Sequence, residues 1–120
     1  MQKLTKAEEE IMQLIWQLGP CTVSQVIDLI EEEPKPPHSS ISSIVRILEK
    51  KGFVDHKAYG RTYEYFPIVS KEEYSGNTVK SLINDYFEGS VKSLVSFLVK
   101  QEKVDKDELM KILNESDKKR

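Results

Sequence analysis

Ser39, Ser40, Ser42 and Ser43 crowd together just ahead of Arg46. An arginine offers a planar fork of donors that fits a guanine edge or a phosphate. Short hydroxyls allow close approach to a groove and can bond phosphate oxygens or base edges. His38 precedes the serines and Lys50 follows them, each able to meet a backbone phosphate. A second set, Lys57, Tyr59 and Arg61, surrounds Gly60. Its two cations can straddle a phosphate or enter a minor groove. Taken singly, a serine reads as a helix cap or solvated surface, and Lys57 or Arg61 as part of an ordinary turn. His56 reads as a surface residue of the same turn region.

Regular elements must position these groups. Thr5 with Glu8 fits a capping box, and Ala7, Ile11, Leu14, Ile15 and Leu18 follow at helical spacing until Gly19-Pro20. Thr22 with Gln25 opens a second helix with the stripe Val23, Val26, Ile27 and Ile30, broken by Pro34, Pro36 and Pro37. A third helix is predicted from Ser39 or Ser40, with Ile41, Ile44, Val45 and Leu48 inside. Its outer face then presents the serines and Arg46. Lys50-Lys51-Gly52 is a strong stop signal. Phe53–Lys57 and Thr62–Phe66 are β-rich runs around Ala58–Arg61, and so read as a hairpin. Helix, helix, helix, hairpin is the order of a winged helix-turn-helix, whose third helix enters the major groove.

Composition narrows the function. The chain has 120 residues, 38% of them hydrophobic, and can bury a core. Its net charge of −2 argues against a polybasic protein. The charge is uneven, however. Residues 1–34 carry −5, residues 35–63 carry +4 and residues 64–120 carry −1. A basic middle segment can form an electrostatic footprint for phosphate, or simply be a solvated face. One cysteine, Cys21, allows no internal disulfide and reads as a small buried hydrophobe rather than a redox switch. Two histidines and one cysteine are thin material for a metal cage, so no metal or cofactor is expected. No phosphate-loop, nucleophile-elbow or zinc-protease motif is present, which argues against an enzyme. The acids at 8–10 and 31–33 read as helix-end charge and solvated face. No apolar run is long enough to span a bilayer, and a cytoplasmic location with no membrane partner is expected.

The carboxyl half carries apolar stripes without polar chemistry. Val79, Leu82, Ile83, Tyr86 and Phe87 form one, and Gly89-Ser90 restarts a helix with Val91, Leu94, Val95 and Leu98. Asp105 with Glu108 caps a third helix bearing Leu109, Ile112 and Leu113. Three short helices hold too little material for a separate core. They fold back on the amino half or pair with a second copy, and the homodimer is the better reading. The expected organisation is residues 1–70 as a DNA-binding domain and 71–120 as a helical dimerisation region. The fold class is mainly α with a small β-hairpin wing. A winged helix serving as a protein-docking module is the competing reading.

The sequence resembles the penicillinase and methicillin-resistance repressor family (BlaI/MecI type, with a copper-responsive CopY branch). The matching pieces are Leu4-Thr5-Lys6-Ala7-Glu8 with Ile11-Met12 and Trp16, Thr22-Val23, and His38–Ile44. Leu48–Val54 and Gly60-Arg61-Thr62-Tyr63-Glu64-Tyr65 complete the amino half. The resemblance implies a dimeric winged-helix transcriptional repressor bound to a dyad-symmetric double-stranded operator, with Ser39–Leu48 as the recognition helix. Many relatives carry an arginine before the leucine matched by Leu48, where this chain has Ile47. In the resistance branch an upstream sensor pathway cuts an Asn-Phe bond beyond a Gly-Ser segment. Gly89-Ser90 is present, but the matching bond falls near Phe97-Leu98, so the cleavage step is not carried over. The copper branch uses a carboxyl-terminal cysteine cluster, and no cysteine follows Cys21 here.

Overall fold

The structure is a computed structural model and describes residues 1–101 and 105–118. Its elements are α1 (Lys6–Leu18), α2 (Val23–Asp28), α3 (His38–Lys50), β1 (Val54–Tyr59), β2 (Thr62–Pro67), α4 (Lys71–Tyr86), α5 (Val91–Lys100) and α6 (Lys106–Lys118). They fall into two compact units, Met1–Ser75 and Gly76–Arg120, with α4 running through the boundary.

In the first unit, α1 starts at the expected capping box: the Thr5 hydroxyl accepts from the Glu8 N–H and the Glu8 carboxylate accepts from the Thr5 N–H. Its buried face keeps part of the predicted stripe, adds Met12 and loses both ends. Ile11, Met12 and Ile15 are buried, Leu14 is half-buried, and Ala7 and Leu18 are exposed. The side chain one turn before Ile11 and Met12 that turns inward is Glu8, which is 7% exposed and therefore no part of a solvated acidic face. It is tolerated because the Lys51 ammonium at the end of α3 pairs with it. That ammonium, and then the Thr5 N–H, hold the Glu8 carboxyl below its ordinary value.

The α2 helix has its Thr22–Gln25 capping box but ends at Asp28, leaving Ile30 in the following loop. The Lys35 ammonium donates to the carbonyls of Ile27 and Asp28 and so satisfies the helix's last turn. The start of α3 also departs from expectation. The helix begins at His38, not at a serine, with extended Pro37 (φ −61°, ψ 146°) in the cap position and no side-chain cap. A proline already fixed near that φ needs no serine to start the turn. Ile41, Val45 and Leu48 are buried and Ile44 half-buried against the core. Gly52, at φ 84°, lets the chain leave α3 and enter β1.

Phe53 lies just before β1 instead of inside it. It is fully buried, its N–H donates to the Leu48 carbonyl, and its own carbonyl accepts from Ile68 and Val69. The hairpin runs in antiparallel register from Val54↔Pro67 to Tyr59↔Thr62, leaving a two-residue turn, Gly60-Arg61. Gly60 at φ 63° supplies the positive dihedral that the first turn position of a II′ hairpin requires. Cys21 adds a short third pairing to the hairpin: it exchanges N–H···O bonds of 2.8 and 2.7 Å with Tyr65. The Cys21 side chain is 1% exposed, and burial, then the nearby Glu64 charge, push its thiol up to about 11. It is an inert packing residue. Tyr74 in α4 closes the unit. Its ring meets Trp16 at 5.7 Å and Phe53 edge-on at 5.5 Å, while the Trp16 indole N–H donates to the Val69 carbonyl.

The second unit has a different character. Ser90 caps α5 by accepting from the Ser93 N–H, and Asp105 accepts from the Asp107 N–H at the start of α6. The rings of Phe87 and Phe97 meet at 5.5 Å. Among the described residues of this unit, no side chain is buried. Ile83, Phe87, Leu94, Val95, Leu98 and Leu109 are half-buried, and Val79, Leu82, Tyr86 and Leu113 are exposed. No described helix is long and apolar enough to cross a membrane.

Candidate nucleic-acid interface

The site is built on α3. With Ile41, Val45 and Leu48 inward, a rotation of about 100° per residue sorts the remaining side chains. Ser39, Ser43, Arg46 and Lys50 fall on the outermost line, and all four are exposed. His38, Ser42 and Glu49 fall on the flank toward the hairpin; His38 is exposed, the other two half-buried. Ser40 and Ile47 form the opposite flank, with Ile47 41% exposed. None of the four serines caps the helix. The Ser43 hydroxyl donates to the Ser39 carbonyl at 2.9 Å, which holds it close to the helix surface.

Beside this flank lies a cavity of about 400 Å³. Its walls are His38, Ser42 and Arg46 of α3, Thr22, Val23 and Ser24 at the start of α2, and Arg61, Thr62, Tyr63 and Tyr65 of the hairpin. Two of the predicted cations, Arg46 on α3 and Arg61 on the hairpin, thus line one groove together with His38 and Ser42. The hairpin divides the rest. Pairing alternation puts His56 and Ala58 with Tyr63 and Tyr65 on one face, and Lys57 and Tyr59 with Thr62 and Glu64 on the other. Lys57 stands opposite Glu64, and Tyr59 is 60% exposed. Lys57 and Arg61 therefore do not flank one point, as the sequence reading had them; Arg61 sits in the tip and Lys57 on the outer face.

His56 is not a free surface side chain. Its Nδ1 lies 2.9 and 3.0 Å from the two oxygens of Glu49, and its ring stacks on Tyr63 at 4.3 Å. Buried Tyr65 has its phenol raised by burial first and by the Glu49 charge next, while Arg46 acts in the opposite sense. Sequence reasoning missed Thr22, Ser24 and Tyr63 as groove residues. The alternation Tyr63-Glu64-Tyr65 was the signal for the last. Nothing local marks the first two.

The basic segment also sorts itself. Lys35 closes the end of α2, and Lys51 is held by Glu8 and by the Lys3 carbonyl. Arg46, Lys50, Lys57 and Arg61 are exposed, and among the described residues none of them makes a hydrogen bond or ion pair.

Three helices packed as a core, a third helix with a polar outward face, and a hairpin directly after it define a winged-helix DNA-binding protein. The comparison with known proteins agrees. The penicillinase repressor family model matches residues 4–118, and the chain belongs to that family. It is similar to the methicillin resistance regulatory protein MecI of Staphylococcus aureus strain N315, with 28% identity over 117 residues covering 98% of this chain and 95% of that one. It is also similar to the penicillinase repressor of Bacillus licheniformis, 24% identical and covering 89% and 84% of the two chains. Among solved structures, the DNA-binding domain of the repressor BlaI superposes with a TM-score of 0.52 at 27% identity, covering 62% of this chain and 94% of that domain. The monomeric form of B. licheniformis BlaI in complex with the blaP half-operator gives a TM-score of 0.50 at 26% identity, covering 61% and 89%. The family is one of transcriptional repressors, not of enzymes.

Proposed function

We propose that this chain is a cytoplasmic, homodimeric repressor that binds a dyad-symmetric operator. Each α3 lies in the major groove and each hairpin rests on the adjacent backbone. The observation that carries this reading is the single groove lined by His38, Ser42 and Arg46 of α3 and by Arg61 of the hairpin. Arg46, on the outermost line of α3, reads a base edge, and Arg61 at the tip holds a phosphate. Ser39, Ser40 and Ser43 allow close approach, and Lys50, Lys57 and Tyr59 extend the contact along the backbone. With no side-chain cap at Pro37, the first N–H groups of α3 are left for water or a phosphate. Exposed Ile47, where many relatives carry arginine, offers a thymine methyl an apolar contact and so shifts the base preference.

Dimerisation through residues 71–120 is supported by the second unit, Gly76–Arg120, among whose described residues no side chain is buried. Val79, Leu82, Ile83, Tyr86, Phe87, Leu94, Val95, Leu98, Leu109 and Leu113 are the residues a second copy would cover. A two-fold pair presents its α3 helices about one helical turn of DNA apart, about 34 Å.

A mobility shift across a range of salt, on the DNA immediately upstream of the gene, tests the reading. An inverted repeat should bind at least about a thousandfold more tightly than scrambled duplex of the same length. No preference for any repeat would refute it in favour of a winged helix that docks protein.

A further inference from the structure

We infer that Glu49, Asp55 and His56 form a binding site for a first-row divalent cation of the zinc class, at the corner where α3 meets the hairpin. The three residues each bring one ligand atom to within 4.8 Å of the others, and among the described residues they are the one group of His, Cys, Asp or Glu that meets this spacing. The inference is independent of how the chain treats DNA.

Glu49 is the penultimate residue of α3, and Asp55 and His56 lie in the first turn of pleat of β1. Only the bend through Gly52 separates them, so the ligands are brought together by a tight corner and little chain must be ordered to close the site. The imidazole is held before any ion arrives. Its ring lies nearly parallel to Tyr63, 15° off at 4.3 Å, and tilts against Tyr65 at 5.6 Å. This fixes the plane in which Nδ1 faces Glu49. Asp55 leaves the opposite face of β1, but its Oδ1 folds back to accept the N–H of His56 at 2.8 Å, and a carboxylate oxygen stays within 4.8 Å of the other two ligand atoms.

The Glu49–His56 pair engages one carboxylate, and the Asp55 carboxylate is bound only locally, through its Oδ1 to the His56 N–H. Two carboxylates drawn to one half-exposed corner repel, and an imidazolium offsets one charge of the two. A dication offsets both, with Nδ1 giving up its proton and lending its lone pair. The spacing suits such an ion. Bonds of about 2.0–2.2 Å set neighbouring ligand atoms about 3.3 Å apart around a tetrahedral centre. Nδ1 stands 2.9 and 3.0 Å from the Glu49 oxygens and all three ligand atoms lie within 4.8 Å of one another, so the ion is admitted by shifts of the Glu49 and Asp55 carboxylates, which lie outside the core. One imidazole nitrogen with two carboxylate oxygens is a borderline set that favours zinc and its neighbours over calcium or magnesium, and it leaves a position for water.

The test uses the full chain, stripped with a chelator and then titrated with zinc chloride against a chromophoric competitor. The expected result is one ion per chain at sub-millimolar free zinc, with the nuclear magnetic resonance signals of the His56 ring shifting and those of His38 unmoved. His56→Ala and Asp55→Asn, each checked for native circular dichroism, should weaken uptake by roughly tenfold or more. Asp55→Asn is the decisive variant, because a simple Glu49–His56 pair makes no demand on Asp55. Absence of uptake, uptake undiminished in His56→Ala or in Asp55→Asn, or shifts at His38 instead of His56 would overturn the inference. The assay contains no DNA, so its failure leaves the repressor reading untouched.

Discussion

Replacing Arg61 with alanine should flatten the salt dependence of operator binding, while replacing Lys51 should not. Of the six cations in residues 35–63, Lys35 and Lys51 are engaged within the fold. Lys50, Lys57 and Arg61 are the exposed candidates for phosphate, with Arg46 assigned to a base edge. Two copies on one operator then make about six phosphate contacts. Each contributes about 0.9 to the slope of log affinity against log salt. The parent slope is therefore about −5.4, and loss of Arg61 from both copies brings it to about −3.6. Over a fourfold rise in salt the parent loses about 2,000-fold in affinity and the variant about 150-fold. Fluorescence anisotropy on a labelled operator, repeated at several salt concentrations, measures both slopes. Lys51→Ala removes the same formal charge but no assigned phosphate contact, and should keep the parent slope. If the two variants flatten the slope equally, the dependence reports a diffuse field and the assignment of Arg61 to a phosphate is wrong. An unchanged slope for Arg61→Ala would remove the hairpin tip from the interface.

Arg46→Ala should reduce operator affinity by about 1–3 kcal/mol and non-specific affinity much less, measured by competition with random duplex; equal losses would make Arg46 a phosphate contact. Leu82→Asp should give monomers by light scattering while leaving the far-ultraviolet spectrum intact, because Leu82 is 42% exposed within its own chain and the charge meets an apolar surface only in the pair. Lys51→Met should lower stability at neutral pH by about 1–2 kcal/mol in thermal or urea unfolding. The Glu8 carboxyl is held below its ordinary value by Lys51, so the stabilisation exists above that ordinary value and is lost as pH falls through the folded one; the gap between parent and variant should close in acid and persist unchanged toward neutrality.

What the sequence made legible follows from how local each signal is. The inward line Ile41, Val45, Leu48 repeats at helical spacing, and Gly52 and Gly60 mark turns that need a positive dihedral, so α3 and the hairpin could be placed from neighbours a few residues apart. The buried Glu8 could not, since its partner Lys51 is 43 residues away and a capping box alone predicts a solvated carboxylate. Cys21 pairing with Tyr65, and Tyr74 packing on Trp16 and Phe53, are likewise contacts that no local pattern announces. Charge is the instructive case. A count gave residues 35–63 an excess of four positive charges, which points to phosphate but overstates the number of free cations. Packing reassigns Lys35 to carbonyl oxygens and Lys51 to a carboxylate, and the hairpin register leaves Lys57 within a strand and Arg61 in the turn. A stretch of sequence can thus carry the right sign for nucleic acid while only some of its members reach it. Which ones do is decided by the fold, because a lysine that closes a helix end or neutralises a buried acid has its donors already committed and cannot release a counterion from DNA.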